Sequence, residues 1–140
     1  MSSVELWAVD TSVALAALDA GHSAHGECMA AVRQRRPALS GHAAFEVYSV
    51  LTRMPGQLGV DPVDAAGLID RVFPEALTLS PSATVALRTR LAVVGISGGA
   101  VYDALVAEAA RTNGRRLLTR DRRAQRTYDL LGTSHTFVGL

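Results

Sequence analysis

The sequence carries carboxylates at Asp10, Glu46, Asp103 and Asp121, the last three far along the chain from the first. Brought together, they would make a hard-oxygen site. Magnesium favours carboxylates and retained waters in near-octahedral geometry. Carboxylates held close together repel unless a cation neutralises them. Such a cation lowers the pKa of a bound water, and a pair of them about 3.5–4 Å apart stabilises both the attacking and the leaving oxygen of a phosphodiester. The four positions lie far apart along the chain, so their convergence is for the fold to decide.

Each acid also has a plainer reading. Asp10 and Ser12, in Asp10-Thr11-Ser12, are good helix N-cap chemistry, and Asp121 sits in the same position after Leu117-Leu118-Thr119-Arg120. Glu46 falls with His42, Ser49 and Arg53 on what could be an ordinary polar helix face. Asp103 is harder to dismiss. Its helical neighbours are Gly99, Ala100, Val106, Ala107 and Ala110, an apolar stripe on which an unpaired carboxylate is costly. A cation would satisfy it; so would a buried ion pair with an arginine.

The elements that must position these residues alternate along the chain. A strand is expected at Val4 to Val9, then a helix capped at Asp10-Thr11-Ser12 and running to about Leu18. Helices are expected over His25 to Gln34 and Ala43 to Met54, the latter ended by Pro55-Gly56, with a short strand, Ala38 to Ser40, between them. Asp61-Pro62 starts a helix to about Phe73, Ala76 to Leu79 reads as a strand, and Ser80-Pro81 opens a helix to about Val94. Gly95 to Gly99 breaks the chain before an apolar helix, Gly99 to Thr112, stopped by Asn113-Gly114. Arg116 to Thr119 is a strand, Asp121 to Leu131 a helix and His135 to Val138 a last strand. Short apolar strands alternating with helices predict an α/β fold with a mainly parallel sheet covered on both faces. Sites in such sheets form at the carboxyl ends of strands, where Asp10 and Asp121 fall.

Composition narrows the functions. The 140 residues suit one domain, taken as 1–140. Cys28 is the single cysteine, so no internal disulfide is possible and a reducing cytoplasm fits. No run approaches the roughly 18 apolar residues of a membrane helix, and no basic-then-apolar leader opens the chain. The histidines have only Cys28 as a cysteine at zinc-ligand spacing, which falls short of a zinc set. All 14 basic side chains are arginines, and without lysine the usual P-loop is excluded. The net charge is +1, yet Arg111, Arg115, Arg116, Arg120, Arg122, Arg123 and Arg126 crowd one stretch whose only acid is Asp121. That run is either a solvated helix face or a phosphate-attracting rim, since the guanidinium fork matches phosphate oxygens.

Val9-Asp10-Thr11-Ser12-Val13, Phe45-Glu46-Val47, Tyr102-Asp103-Ala104-Leu105 and Leu118-Thr119-Arg120-Asp121 together resemble the PIN-domain ribonucleases, most closely the VapC toxins of type II toxin–antitoxin pairs. The resemblance covers nearly the whole chain. It implies a three-layer α/β/α fold with a central parallel sheet. It also implies a Mg2+- or Mn2+-dependent endoribonuclease that cleaves single-stranded or looped RNA by metal-activated water, leaving a 5′-phosphate and a 3′-hydroxyl. Asp10, Glu46, Asp103 and Asp121 would be its catalytic and metal-binding acids, supported by Ser12 and Thr119. Arg120, Arg122 and Arg123 are the candidate RNA-binding residues. A homodimer and a VapB-type antitoxin that covers the site are further implications. Some members carry an additional acid just after the last motif; here the next acid is Asp129, which reads as a surface residue. Trp7 and the three tyrosines form no base-stacking series in the sequence, so RNA contacts are expected to rest on arginine and shape. Aspartyl-phosphate chemistry also uses a strand-end aspartate, but it needs a lysine, and the phosphatase pattern wants an aspartate where Ser12 stands. A non-catalytic PIN-fold module that binds RNA or protein is the other alternative.

Overall fold

The computed structural model describes residues 4–53 and 60–139. The expected stop at Pro55-Gly56 lies outside them. The described elements are β1 (Leu6–Val9), α1 (Thr11–Leu18), α2 (His25–Arg35), β2 (Ala38–Ser40), α3 (Ala43–Arg53), α4 (Pro62–Val72), β3 (Ala76–Leu77), α5 (Pro81–Val94), α6 (Ala100–Thr112), β4 (Arg115–Thr119), α7 (Gln125–Leu131) and β5 (His135–Phe137).

The strands form one sheet in the order β3-β2-β1-β4-β5, and every pair is parallel. Parallel crossovers are right-handed. The chain crosses the sheet one way from β1 to β3 and the other way from β3 to β5, so α1–α4 cover one face and α5–α7 the other. The packing agrees: α1 lies against α2, α3 and α4, and α6 against α5 and α7. The result is the expected three-layer α/β/α arrangement. The central strands are buried on both sides, with Ala8, Val9, Leu117 and Leu118 at 0–1% exposure, which is why they read as apolar runs rather than alternating ones. The winding reverses between β1 and β4, the topological switch point at which open α/β sheets bind ligands.

The ends of β1, β3 and α7 differ from expectation by two residues or more. β1 starts at Leu6, opposite Arg115 at the start of β4, and Val4 and Glu5 have no strand partner. β3 is two residues long because β2 ends at Ser40, opposite Leu77. α7 begins at Gln125, not Asp121. There the Asp121 carboxylate accepts the backbone N–H groups of Arg123 (2.9 Å) and Ala124 (3.3 Å), holding the segment as a turn in place of the first helical hydrogen bonds.

Two contacts fix how β2 and α3 meet α6. The Ser40 hydroxyl, fully buried, donates to the Val106 carbonyl at 2.8 Å. Gly41 follows with φ +56°, and a Cβ there would lie 2.9 Å from the Leu105 carbonyl oxygen, so only glycine admits this approach. Within the α5–α7 layer, buried Glu108 of α6 accepts from Arg111 (2.6 Å) and from Arg90 of α5 (3.0 Å), and Arg90 also reaches the Leu131 carbonyl at the end of α7. One carboxylate thus ties three helices together, and its desolvation is offset by two guanidinium groups.

Candidate active site

Asp10 leaves β1 at the switch point and is 3% exposed. Its Oδ1 accepts the Ser12 hydroxyl (2.6 Å) and the Val13 backbone N–H (3.2 Å). Its Oδ2 accepts the hydroxyls of Thr119 (2.5 Å) and Tyr128 (2.8 Å). Asp10 is therefore both the N-cap of α1 and the centre of a polar knot. Burial pushes its carboxyl above the ordinary aspartate range, while the bonds from Ser12, Thr119, Tyr128 and Val13 pull it back. Burial also raises the Tyr128 phenol, with the Asp10 carboxylate adding to it, so Tyr128 remains a donor.

The second support tier ties β1 to β4. Thr119 Oγ1 accepts the Asp121 N–H at 3.0 Å, and Ser12 Oγ accepts the Arg120 N–H at 2.8 Å. Ser12 and Thr119 thus each bond the Asp10 carboxylate and a backbone N–H of the segment after β4. Tyr128 and Thr11 were not anticipated. Tyr128 lies 118 residues from Asp10, and an inward tyrosine on a helix reads as core. Thr11 donates to Glu46 Oε2 at 3.2 Å.

Asp10, Glu46, Asp103 and Asp121 all line one cavity of roughly 190 Å³, with Thr11, Ser12, Val106 and Tyr128. The structure therefore brings together the four acids that the sequence scattered. Asp103, on the first turn of α6, makes no ion pair among the described residues, so the buried arginine pair does not form. Its carboxyl is held up at about 6, first by burial and then by the charges of Asp121, Glu46 and Asp10, with Arg123 opposing.

Among the described residues, no three His, Cys, Asp or Glu side chains are drawn in closely enough to grip one ion. The donor chemistry nevertheless fits a hard divalent cation. The cavity offers four carboxylates and no thiolate or imidazole, and the repulsion that lifts Asp103 is what a cation would neutralise. Asp10 comes to such a cation with four donors already on its oxygens, so it would exchange a hydrogen bond for a metal bond.

Two wider clefts flank the cavity. One, of roughly 590 Å³, shares Ser12 and Asp121 with it and is lined by Arg120, Arg122 and Arg123. The three arginines differ in freedom. The Arg120 guanidinium is spent on the carbonyls of Val138 (2.9 Å) and Gly139 (2.8 Å). Arg122 lies over the Phe137 ring, 4.9 Å from its centre. Arg123 is 97% exposed, with Asp121 3.8 Å away. The other cleft, of roughly 800 Å³, shares Glu46 and Asp103 with the cavity and carries His42, Phe45 and Tyr102. The sequence offered no aromatic series; the fold assembles one from residues on α6 and at the start of α3. Asp129 stands apart from the cavity, exposed, with its carboxylate 3.9 Å from His135. Among the described residues no helix is long and apolar enough to cross a membrane.

The sequence matches the family model of the PIN domain over residues 8–130. It is 50% identical over 125 residues to ribonuclease VapC27 of Mycobacterium tuberculosis, covering 89% of this chain and 91% of that protein. It is 42% identical over 125 residues to ribonuclease VapC40 of the same organism, covering 89% and 92%. In three dimensions it is similar to a chain in the crystal structure of VapBC2 from Rickettsia felis bound to a DNA fragment from their promoter, with a TM-score of 0.67 over 94% of this chain and 98% of that one. At 15% identity that likeness is one of fold.

Proposed function

This chain belongs to the PIN-domain family, and from that premise we propose that it is an endoribonuclease, the toxin of a type II toxin–antitoxin pair, hydrolysing single-stranded or looped RNA. The observation that carries the reading is the meeting of four carboxylates on one cavity at the sheet's switch point. Asp10, Glu46, Asp103 and Asp121 would hold Mg2+ or Mn2+. When bound, such an ion supplies Lewis acidity at the phosphate and lowers the pKa of water.

The chain's own residues do the rest. Ser12, Thr119 and Tyr128 hold both oxygens of Asp10 in place, and Thr11 orients Glu46. Arg123 and Arg122 attract the phosphates beside the cavity. In the hydrolysis a water oxygen bonds to phosphorus and the P–O3′ bond breaks. The 3′ oxygen leaves as a hydroxyl with the water's proton, and the phosphate stays on the 5′ end of the downstream fragment. The protein acts in the cytoplasm as a homodimer, and a VapB-type antitoxin restrains it by covering the acids.

Incubating the purified chain with RNA in Mg2+ or Mn2+, against EDTA, tests the reading. Cleavage with 5′-phosphate ends in metal only is expected. Asp10→Asn should stay folded, because its amide keeps Oδ1 for Ser12 and Val13 while the Thr119 and Tyr128 hydroxyls turn to accept. It should lose more activity than the roughly 10–100-fold typical of an outer-shell residue. Cleavage that persists in EDTA would overturn the metal chemistry. RNA bound but never cut would return the non-catalytic module.

A further inference from the structure

Among the described residues, Phe45 and Tyr102 are the only aromatic side chains among the exposed large hydrophobics, at 72% and 53% exposure. They are not scattered. His42 stacks on Tyr102 with centroids 5.2 Å apart and planes at 26°, and Phe45 stands 6.3 Å from His42. All three rings line the cleft that shares Glu46 and Asp103 with the acidic cavity. Arg53 lines the same cleft.

We infer that this ring cluster is a base-stacking subsite, which takes a nucleobase of the RNA strand next to the phosphate at the acids. The inference rests on the ribonuclease reading and adds where the substrate's bases go. A strand whose phosphate lies at the acids has nucleotides on both sides of it. Both the arginine-lined cleft and this one share residues with the acidic cavity and can take them. Exposed rings are poor partners for phosphate and good partners for a base, since every base has a π-face. Continuity with the acids, together with the Arg53 guanidinium in the same cleft for the strand's next phosphate, favours RNA as the occupant. A lone apolar patch would carry no such direction.

The test uses a short single-stranded oligoribonucleotide containing 2-aminopurine, whose fluorescence falls on stacking. Wild-type protein in EDTA should quench it. Phe45→Ala and Tyr102→Ala should each raise Kd about tenfold, within the range alanine substitution gives for one stacked base. Tyr102→Phe should restore quenching. In Mg2+ or Mn2+, the alanine variants should raise KM more than they lower kcat. The loss should be similar at low and high salt, because stacking releases no counterions. Unchanged quenching and KM in both alanine variants would overturn the inference. So would conversion of a dimer to a monomer by either variant in light scattering, which would make the rings an interface between copies. The ribonuclease reading fails differently: wild-type protein would quench the oligomer yet leave it uncut with metal, keeping the subsite and removing the chemistry.

Discussion

Asp103 shows how a single side chain can oppose the fold that holds it. Its carboxyl is displaced from 3.8 to about 6 by burial and by three neighbouring acids. Between those two values the native state holds a proton that the unfolded chain has released, so stability falls as pH rises. Asp103's contribution is complete below about 4 and lost above about 6. The displacement corresponds to at most about 3 kcal/mol, and partial exposure brings the expected effect to about 1–2 kcal/mol. Asp103→Asn cannot ionise and escapes this loss. Without metal, its stability relative to wild type should therefore improve by about 1–2 kcal/mol between about pH 4 and pH 7.5, read by urea unfolding. Adding Mn2+ at the higher pH should stabilise wild type and close the gap, because ligand binding to the native state adds to its stability. A difference between the two proteins that is the same at both pH values would show that Asp103 carries no such burden.

The elements bring the acids to one cavity, and at Gly41 their meeting depends on the lack of a side chain. The β2–α3 turn brings Glu46 on α3 up to Asp103 on α6 only because no Cβ stands between Gly41 and the Leu105 carbonyl. Gly41→Ala meets both a left-handed backbone and a 2.9 Å approach to backbone, so a loss of about 1–3 kcal/mol is expected. Cleavage measured well below the melting temperature should fall as well, since the turn's shift moves Glu46. Activity that follows only the folded fraction would separate Gly41 from the site. No sequence rule pointed to Gly41, whose constraint comes from a helix more than sixty positions away. What was legible was local: the N-caps at Asp10, Asp61 and Ser80, the helix stop at Asn113-Gly114, and the apolar strands. From these the α/β alternation followed, and Asp10 and Asp121 fell at strand ends. Glu46 rested on the family resemblance, because His42, Ser49 and Arg53 share its helix face and made it look solvated. That face lines a cleft with Gly99, Tyr102 and Asp103, and only the way β2 sets α3 and α6 on either side of the sheet decides that. Tyr128 and the ring cluster were hidden for the same reason, since their partners are distant in the chain.

At the scale of the molecule, a net charge of +1 hides a strongly divided surface. Four carboxylates share a cavity, and of the arginines in the segment 111–126 it is Arg120, Arg122 and Arg123 that line the cleft beside it, within reach of a polyanion that the acids alone would repel. The run does not act as a block. For single-stranded nucleic acid, log K falls with log salt at a slope of about −0.7 for each phosphate neutralised. Arg123 is nearly fully exposed and only loosely held by Asp121, so Arg123→Ala should weaken RNA binding and make that slope shallower by about 0.7. Arg120 has the same charge and a different task. Its guanidinium closes the chain end onto β4 through the Val138 and Gly139 carbonyls. Arg120→Ala should therefore lower the melting temperature, leaving the slope near wild type where the variant is folded. Filter binding across a salt series, with thermal unfolding alongside, separates the two. Equal slope changes in both variants would mean that the arginines act as an undifferentiated cloud of charge. A changed slope for Arg123 alone would mean that the fold has already selected which arginines meet the phosphate.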